Sequence, residues 1–153
     1  MGEVVAREIP IPSDEDGYVL LQCEHCNSFF KITPSDFEDD EVLSIHCPFC
    51  GLISDSYITD DVRELAMTMA NNMANEMIHN MFKDLERSLS NNKFVKFKAG
   101  KKRQDEYESP IRSITDSLTV KEYSCCHRKA KISKLMKMSV SYCPFCGVID
   151  FED

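Results

Sequence analysis

The sequence predicts a small α+β chain: two metal-stapled β units joined by a long amphipathic α-helix. Three observations predict it. The eight cysteines of the 153 residues fall in two groups, one near each end. A phrase is written twice, as "HCPFCGLISD" from His46 to Asp55 and as "YCPFCGVID" from Tyr142 to Asp150. Between the groups, the stretch from Thr59 to Ser90 contains no Gly or Pro and repeats apolar residues at steps of three or four, the period of one helix face. Hydrophobic content of 42% with 29% charged residues excludes wholesale disorder. The apolar residues are shared between two small end units, however, and units of that size need a staple.

The N-terminal unit is read as residues 1–58. Cys23-Glu24-His25-Cys26 and Cys47-Pro48-Phe49-Cys50 are separated by 20 residues, the spacing of a structural zinc site. Two residues between cysteines let one tight turn aim both sulfurs at one ion, and two such turns complete a tetrahedron. Pro48 presets φ inside the second turn. Gly51 and Asn27 follow the two turns, where φ > 0 is often required. The flanks "YVLLQC", "FFKI" and "VLSIHC" read as strands. The unit is therefore a zinc ribbon, hairpins whose turns pinch one metal. His25 lies between ligands and is expected on the surface.

The C-terminal unit, residues 120–153, repeats the second turn as Cys143-Pro144-Phe145-Cys146-Gly147, and "AKI" at Ala130–Ile132 echoes "FKI" at Phe30–Ile32. Its first turn departs from the pattern. It reads Tyr123-Ser124-Cys125-Cys126-His127-Arg128, with no C-x2-C, so two ligands come from among Cys125, Cys126 and His127. Adjacent side chains tend to point apart. The expected set is therefore Cys125, His127, Cys143 and Cys146, with Cys126 competing with His127 or Cys125. Two Zn2+ per chain are expected. An open or reactive second site, with a thiol of Cys125 or Cys126 activated near Arg128 and Lys129, is the redox alternative.

These ligand turns resemble transcription-factor-IIB-type zinc ribbons, and the paired layout is similar to small prokaryotic double zinc-ribbon proteins. The resemblance covers residues 18–58 and 120–151. It implies ribbon folds and structural zinc, and little about activity, because such ribbons serve as nucleic-acid readers, protein adaptors and enzyme subdomains.

The connector helix is read as residues 59–92. Its stripe runs Val62, Leu65, Met69, Met73, Met77, Met81, Leu85 and Leu89, widened by Ala66, Ala70, Ala74, Ile78 and Phe82. Asp61 with Glu64 fits a capping box at its start. Either both ribbons fold back onto this Met-rich face as core, or the face binds another protein or a second copy. Residues 93–119 read as a short strand, "KFVKF", and a polar linker.

Charge is uneven. Within the net −8, residues 1–58 carry −10 and residues 93–103 carry +6. The acidic N-terminal part repels phosphate, which makes nucleic acid a secondary partner. The basic cluster reads equally as lysines guarding a strand edge. The acidic opening has neither a signal-peptide nor a myristoylation pattern, and no apolar run spans a bilayer. A cytoplasmic chain with no membrane partner is expected. No Ser/His/Asp set, phosphate loop or paired-acid arrangement stands out, so the expected function is that of a non-enzymatic zinc-binding adaptor or regulatory subunit.

Overall fold

The computed structural model describes residues 7–111 and 117–151. The chain divides into two units, Met1–Val62 with Ile111–Asp153, and Arg63–Pro110. The ribbons expected as separate units at the two ends lie in the first.

In that unit the order is β1 (Val19–Gln22), β2 (Phe29–Ile32), a short α1 (Pro34–Phe37), then β3 (Leu118–Glu122), β4 (Lys129–Ser133), a short α3 (Lys134–Lys137), β5 (Val140–Tyr142) and β6 (Ile149–Phe151). The helix α2 (Asp60–Leu89) falls between the halves in sequence. Strands β1, β2, β4 and β3 form one antiparallel sheet in that order, and β5 pairs with β6.

Each half has the same local plan for the same reasons. Thr33 and Ser133 cap α1 and α3, their hydroxyls accepting from the N–H groups of Asp36 and Met136, which satisfies donors left open at a helix start. Alternation along the strands turns Phe30, Ile32, Ala130 and Ile132 into a common core with Ile45, Tyr57, Tyr123, Met136 and Phe145. The expected strand "VLSIHC" is reduced to a single bridge, His46 with Ile53, whereas its counterpart in the second half is the β5–β6 ladder.

The halves meet reciprocally. Lys31 pairs with Lys131 at the junction of β2 and β4. The His46 N–H donates to the Pro144 carbonyl and the Tyr142 N–H to the Pro48 carbonyl, both at 2.8 Å. The space where a Gly51 Cβ would sit is taken by the Tyr142 ring, and that at Gly147 by the His46 ring. Equivalent residues contacting one another in exchange is the signature of a two-fold interface, here written within one chain.

Ion pairs that break the symmetry reinforce it. Arg128 donates to Asp36 and Asp39 at 2.9 Å and to Glu41 at 3.3 Å. Asp39 and Glu41 belong to a loop after α1 that is longer than the one after α3. Asp14 receives Lys131 at 2.7 Å and Lys31 at 3.3 Å, and Asp16 also receives Lys131 at 2.7 Å, so two carboxylates balance the two lysines at the junction. Burial works against that charge, but the Lys131 ammonium, the Tyr18 N–H and Lys31 hold the Asp14 carboxyl down at about 2.

Helix α2 begins at Asp60, one residue before the expected cap. Gln22 holds this start, its amide oxygen accepting from the Asp60 N–H and its amide nitrogen donating to the Asp60 carboxylate. Thr59, not Asp61, stands before the helix, and its hydroxyl donates to the Asp61 carboxylate. In the second unit, residues 93–110 form no strand. "KFVKF" fails as a strand because no neighbouring strand pairs with it. Phe97 instead packs on Phe82 with ring centroids 6.0 Å apart. Asn72 is buried and pins the segment further on: its amide donates to the Glu106 carbonyl and accepts from the Glu106 N–H, both at 2.9 Å.

The Met-rich face is divided. Leu65, Met69 and Met73 are half-buried, while Met77, Ile78, Met81, Phe82 and Leu85 are exposed, Met81 at 67%. No described helix is long and apolar enough to cross a membrane.

Candidate metal centres

The first ligand turn follows from β1. The Cys23 N–H donates to the Ser28 carbonyl, and the Asn27 N–H closes back on the Cys23 carbonyl at 2.9 Å. Asn27 takes φ of +59° to make that closure, a conformation Asn accepts more readily than most residues. The second turn repeats the device: the Cys47 N–H donates to the Leu52 carbonyl, and the Gly51 N–H to the Cys47 carbonyl, with φ of +72° at Gly51. The Phe49 N–H donates to the Cys47 sulfur at 3.4 Å, the kind of contact that favours a thiolate.

Together the two turns bring the sulfurs of Cys23, Cys26, Cys47 and Cys50 within 4.8 Å of one another. Cys23 and Cys50 are 3.7 Å apart, and Cys26 and Cys47 3.6 Å. A disulfide requires about 2.05 Å, so these are not bonded sulfurs. Four sulfurs placed about 2.3 Å from one zinc at tetrahedral angles lie about 3.8 Å apart. The donor set, the distances and the count fit one zinc ion. Cys23 and Cys47 are buried, and four sulfurs leave no open position, as in a structural site.

The second centre gathers Cys125, Cys126, Cys143 and Cys146, likewise within 4.8 Å, with Cys126 and Cys143 at 3.6 Å. Of the residues expected there, Cys125, Cys143 and Cys146 come together and His127 does not. Its side chain is 81% exposed and turned to Glu122, with Nδ1 3.5 Å from the carboxylate. Cys126 completes the set instead. The backbone gives the reason. The His127 N–H donates to the Tyr123 carbonyl and His127 has φ of +57°, so it does the work of Asn27 and closes the turn. In that register Cys126 matches Cys26, and Tyr123 stands where the first half has Cys23.

The missing cysteine has therefore moved to Cys125, which matches His25. That position reaches across to the second hairpin: His25 Nε2 lies 3.1 Å from the Ile53 carbonyl. A cysteine there can reach the cluster although its neighbour is also a ligand. Tyr123 fills the vacated place as a fully buried core residue. The cost is exposure: Cys125 and Cys146 are exposed, where Cys23 and Cys47 of the first centre are buried.

Protonation follows from these surroundings. Burial pushes the Cys47, Cys50 and Cys143 thiols up, and burial together with the Cys125 and Cys126 sulfurs pushes Cys146 up to about 11. Burial also opposes ionisation of Cys26, but the Ser28 hydroxyl and N–H and the neighbouring thiols bring it down to about 7. A divalent cation has to displace protons to enter either centre.

All eight cysteines are accounted for by the two clusters. No protein-family model, no curated protein and no solved structure matches the chain, so the centres stand on their own geometry.

Proposed function

We propose that the chain is a non-enzymatic, zinc-stapled adaptor that binds another protein through its Met-rich helix. The two four-sulfur centres support a structural use of zinc, because a closed tetrahedron offers no position for a substrate or an attacking water. With every cysteine drawn into a centre, a thiol redox role would have to take a ligand away from the metal, which favours the structural reading over the redox one.

The observation that carries the adaptor reading is the exposed apolar run Met77, Ile78, Met81, Phe82 and Leu85 on α2. Adjacent exposed apolar side chains at helical spacing are the form in which a helix enters a partner's groove, and methionine adapts to irregular partners. The test is a pair of charge substitutions, Met77→Asp with Met81→Asp, in the full chain. The variant is expected to keep two zinc ions per chain and its unfolding midpoint while losing the proteins captured by the wild type from its native host. Retention of the same partners, or collapse of the fold, sinks the reading.

A further inference from the structure

The sequence alone sets the acidic N-terminal part against the basic cluster and makes nucleic acid a secondary partner. The structure changes that balance. The basic stretch belongs to the unit Arg63–Pro110 and the ribbon acids to the other unit. Many of those acids are already engaged. Asp14 and Asp16 hold Lys131, Asp14 also holds Lys31, and Asp36, Asp39 and Glu41 hold Arg128. In contrast, Lys93, Lys96, Lys98, Lys101 and Arg103 have no carboxylate partner among the described residues, and only Lys102 reaches one, Asp105 at 3.4 Å.

These cations are carried on a held segment. Phe97 is fixed on Phe82 and Glu106 is fixed by Asn72. Between them Phe97 and Ala99 are half-buried while Lys96 and Lys98 are exposed. That is the two-residue alternation of extended chain, with the cations on the solvent side. Two large aromatics flank the run with their rings in solvent, Phe94 at 96% and Tyr107 at 81% exposure.

We propose that residues 93–107 are a binding surface for single-stranded nucleic acid. Unpaired cations along an extended segment track a phosphate backbone, and exposed aromatic rings offer the faces on which unpaired bases stack. A duplex hides its base faces and is read by an element that enters a groove, whereas these residues lie on neither a helix nor a strand. An anionic lipid surface suits the aromatics and lysines less well, because α2 carries six acids, Asp60, Asp61, Glu64, Glu76, Asp84 and Glu86, against three bases, Arg63, Lys83 and Arg87, where a surface-lying helix is rich in lysine and arginine.

The experiment is fluorescence anisotropy of the zinc-loaded full chain with labelled single-stranded RNA and DNA of about 20 nucleotides, the matching duplexes as competitors, and vesicles of about one-third phosphatidylserine as a third probe. If four cations engage phosphates, the logarithmic salt slope is about −3, so affinity falls about 50-fold between roughly 50 and 200 mM salt. Lys96→Ala with Lys98→Ala should halve that slope. Phe94→Ala should weaken binding about tenfold and leave the slope unchanged. Two zinc ions per chain and an unshifted melting midpoint show that the variants are folded. A salt-independent signal, indifference to Phe94→Ala, equal affinity for duplex, or preference for the vesicles overturns the proposal. The last two transfer the surface to duplex or to lipid.

Discussion

Gly147 and Gly51 offer a direct measurement of the contact between the two ribbons. Both take positive φ, +71° and +72°, as does Gly17 at +83°. A Cβ added at Gly17 meets nothing within 4 Å, whereas at Gly147 it would lie 2.7 Å from His46 Nε2, and at Gly51 2.8 Å from Tyr142 Cδ1. Gly17→Ala therefore reads the backbone cost alone, about 1 kcal/mol for an L-residue in the left-handed region. Gly147→Ala and Gly51→Ala carry that cost and, in addition, overpacking against a ring of the opposite ribbon, typically about 1–3 kcal/mol. The totals expected are about 2–4 kcal/mol. Denaturant unfolding at saturating zinc measures them. A His46→Ala background removes the ring that Gly147→Ala strikes and should return its cost to about 1 kcal/mol, a coupling that a double-mutant cycle isolates. If Gly147→Ala costs no more than Gly17→Ala, or if His46→Ala fails to relieve it, the reciprocal packing is not a feature of the folded protein.

Three further outcomes follow from the metal centres. Cys126→Ser should reduce bound zinc from two ions to one while His127→Ala retains both, and elemental analysis of the purified variants decides it; the reverse result restores His127 as the ligand. Zinc removal by a chelator should be biphasic, with the exposed second centre emptying first. The double change Tyr123→Cys with Cys125→His, which rewrites that turn in the pattern of the first, should slow the fast phase. Affinity should rise with pH: Cys143 and Cys146 have folded-state values above the ordinary thiol range, so both hold protons at neutral pH. At least two protons then leave as the ion enters, and affinity climbs about 100-fold per pH unit near neutrality. A pH-independent affinity in a competition assay would contradict the ligand set.

What could be read in advance was what depends on local spacing. Cys23, Cys26, Cys47 and Cys50 announce their geometry because C-x2-C is a turn whose backbone is fixed by three or four consecutive residues, and Asn27 and Gly51 mark the positive φ that closes it. The helix was legible within one residue at its start and three at its end, since an uninterrupted 3.6-residue period needs no tertiary help to be recognised. The second centre was harder, because one of its ligands is displaced and the pattern rule looks for fixed spacing. The register was nonetheless written in the chain. The echo of Phe30–Ile32 in Ala130–Ile132 places Cys126 under Cys26 and His127 under Asn27, and would have made His127 a turn residue. The union of the ribbons was not legible: the Lys31–Lys131 pairing and the His46–Pro144 hydrogen bond join residues about a hundred apart, and no local pattern encodes such partners. In the sequence Asn72 is one polar residue among many, and only the segment that returns to it gives it a role.

The reciprocal junction of the ribbons also bears on how the chain reaches its final state. During synthesis the first ribbon is complete long before Lys131 and Pro144 exist, so β2 waits with one edge unpaired. The contacts it awaits are the same whether the second ribbon comes from its own chain or from another. Closure within the chain wins through the effective concentration that the tether provides. Refolding at high protein concentration, or shortening the stretch between Val62 and Ile111, shifts the balance toward exchanged dimers in which each ribbon is completed by its neighbour's partner.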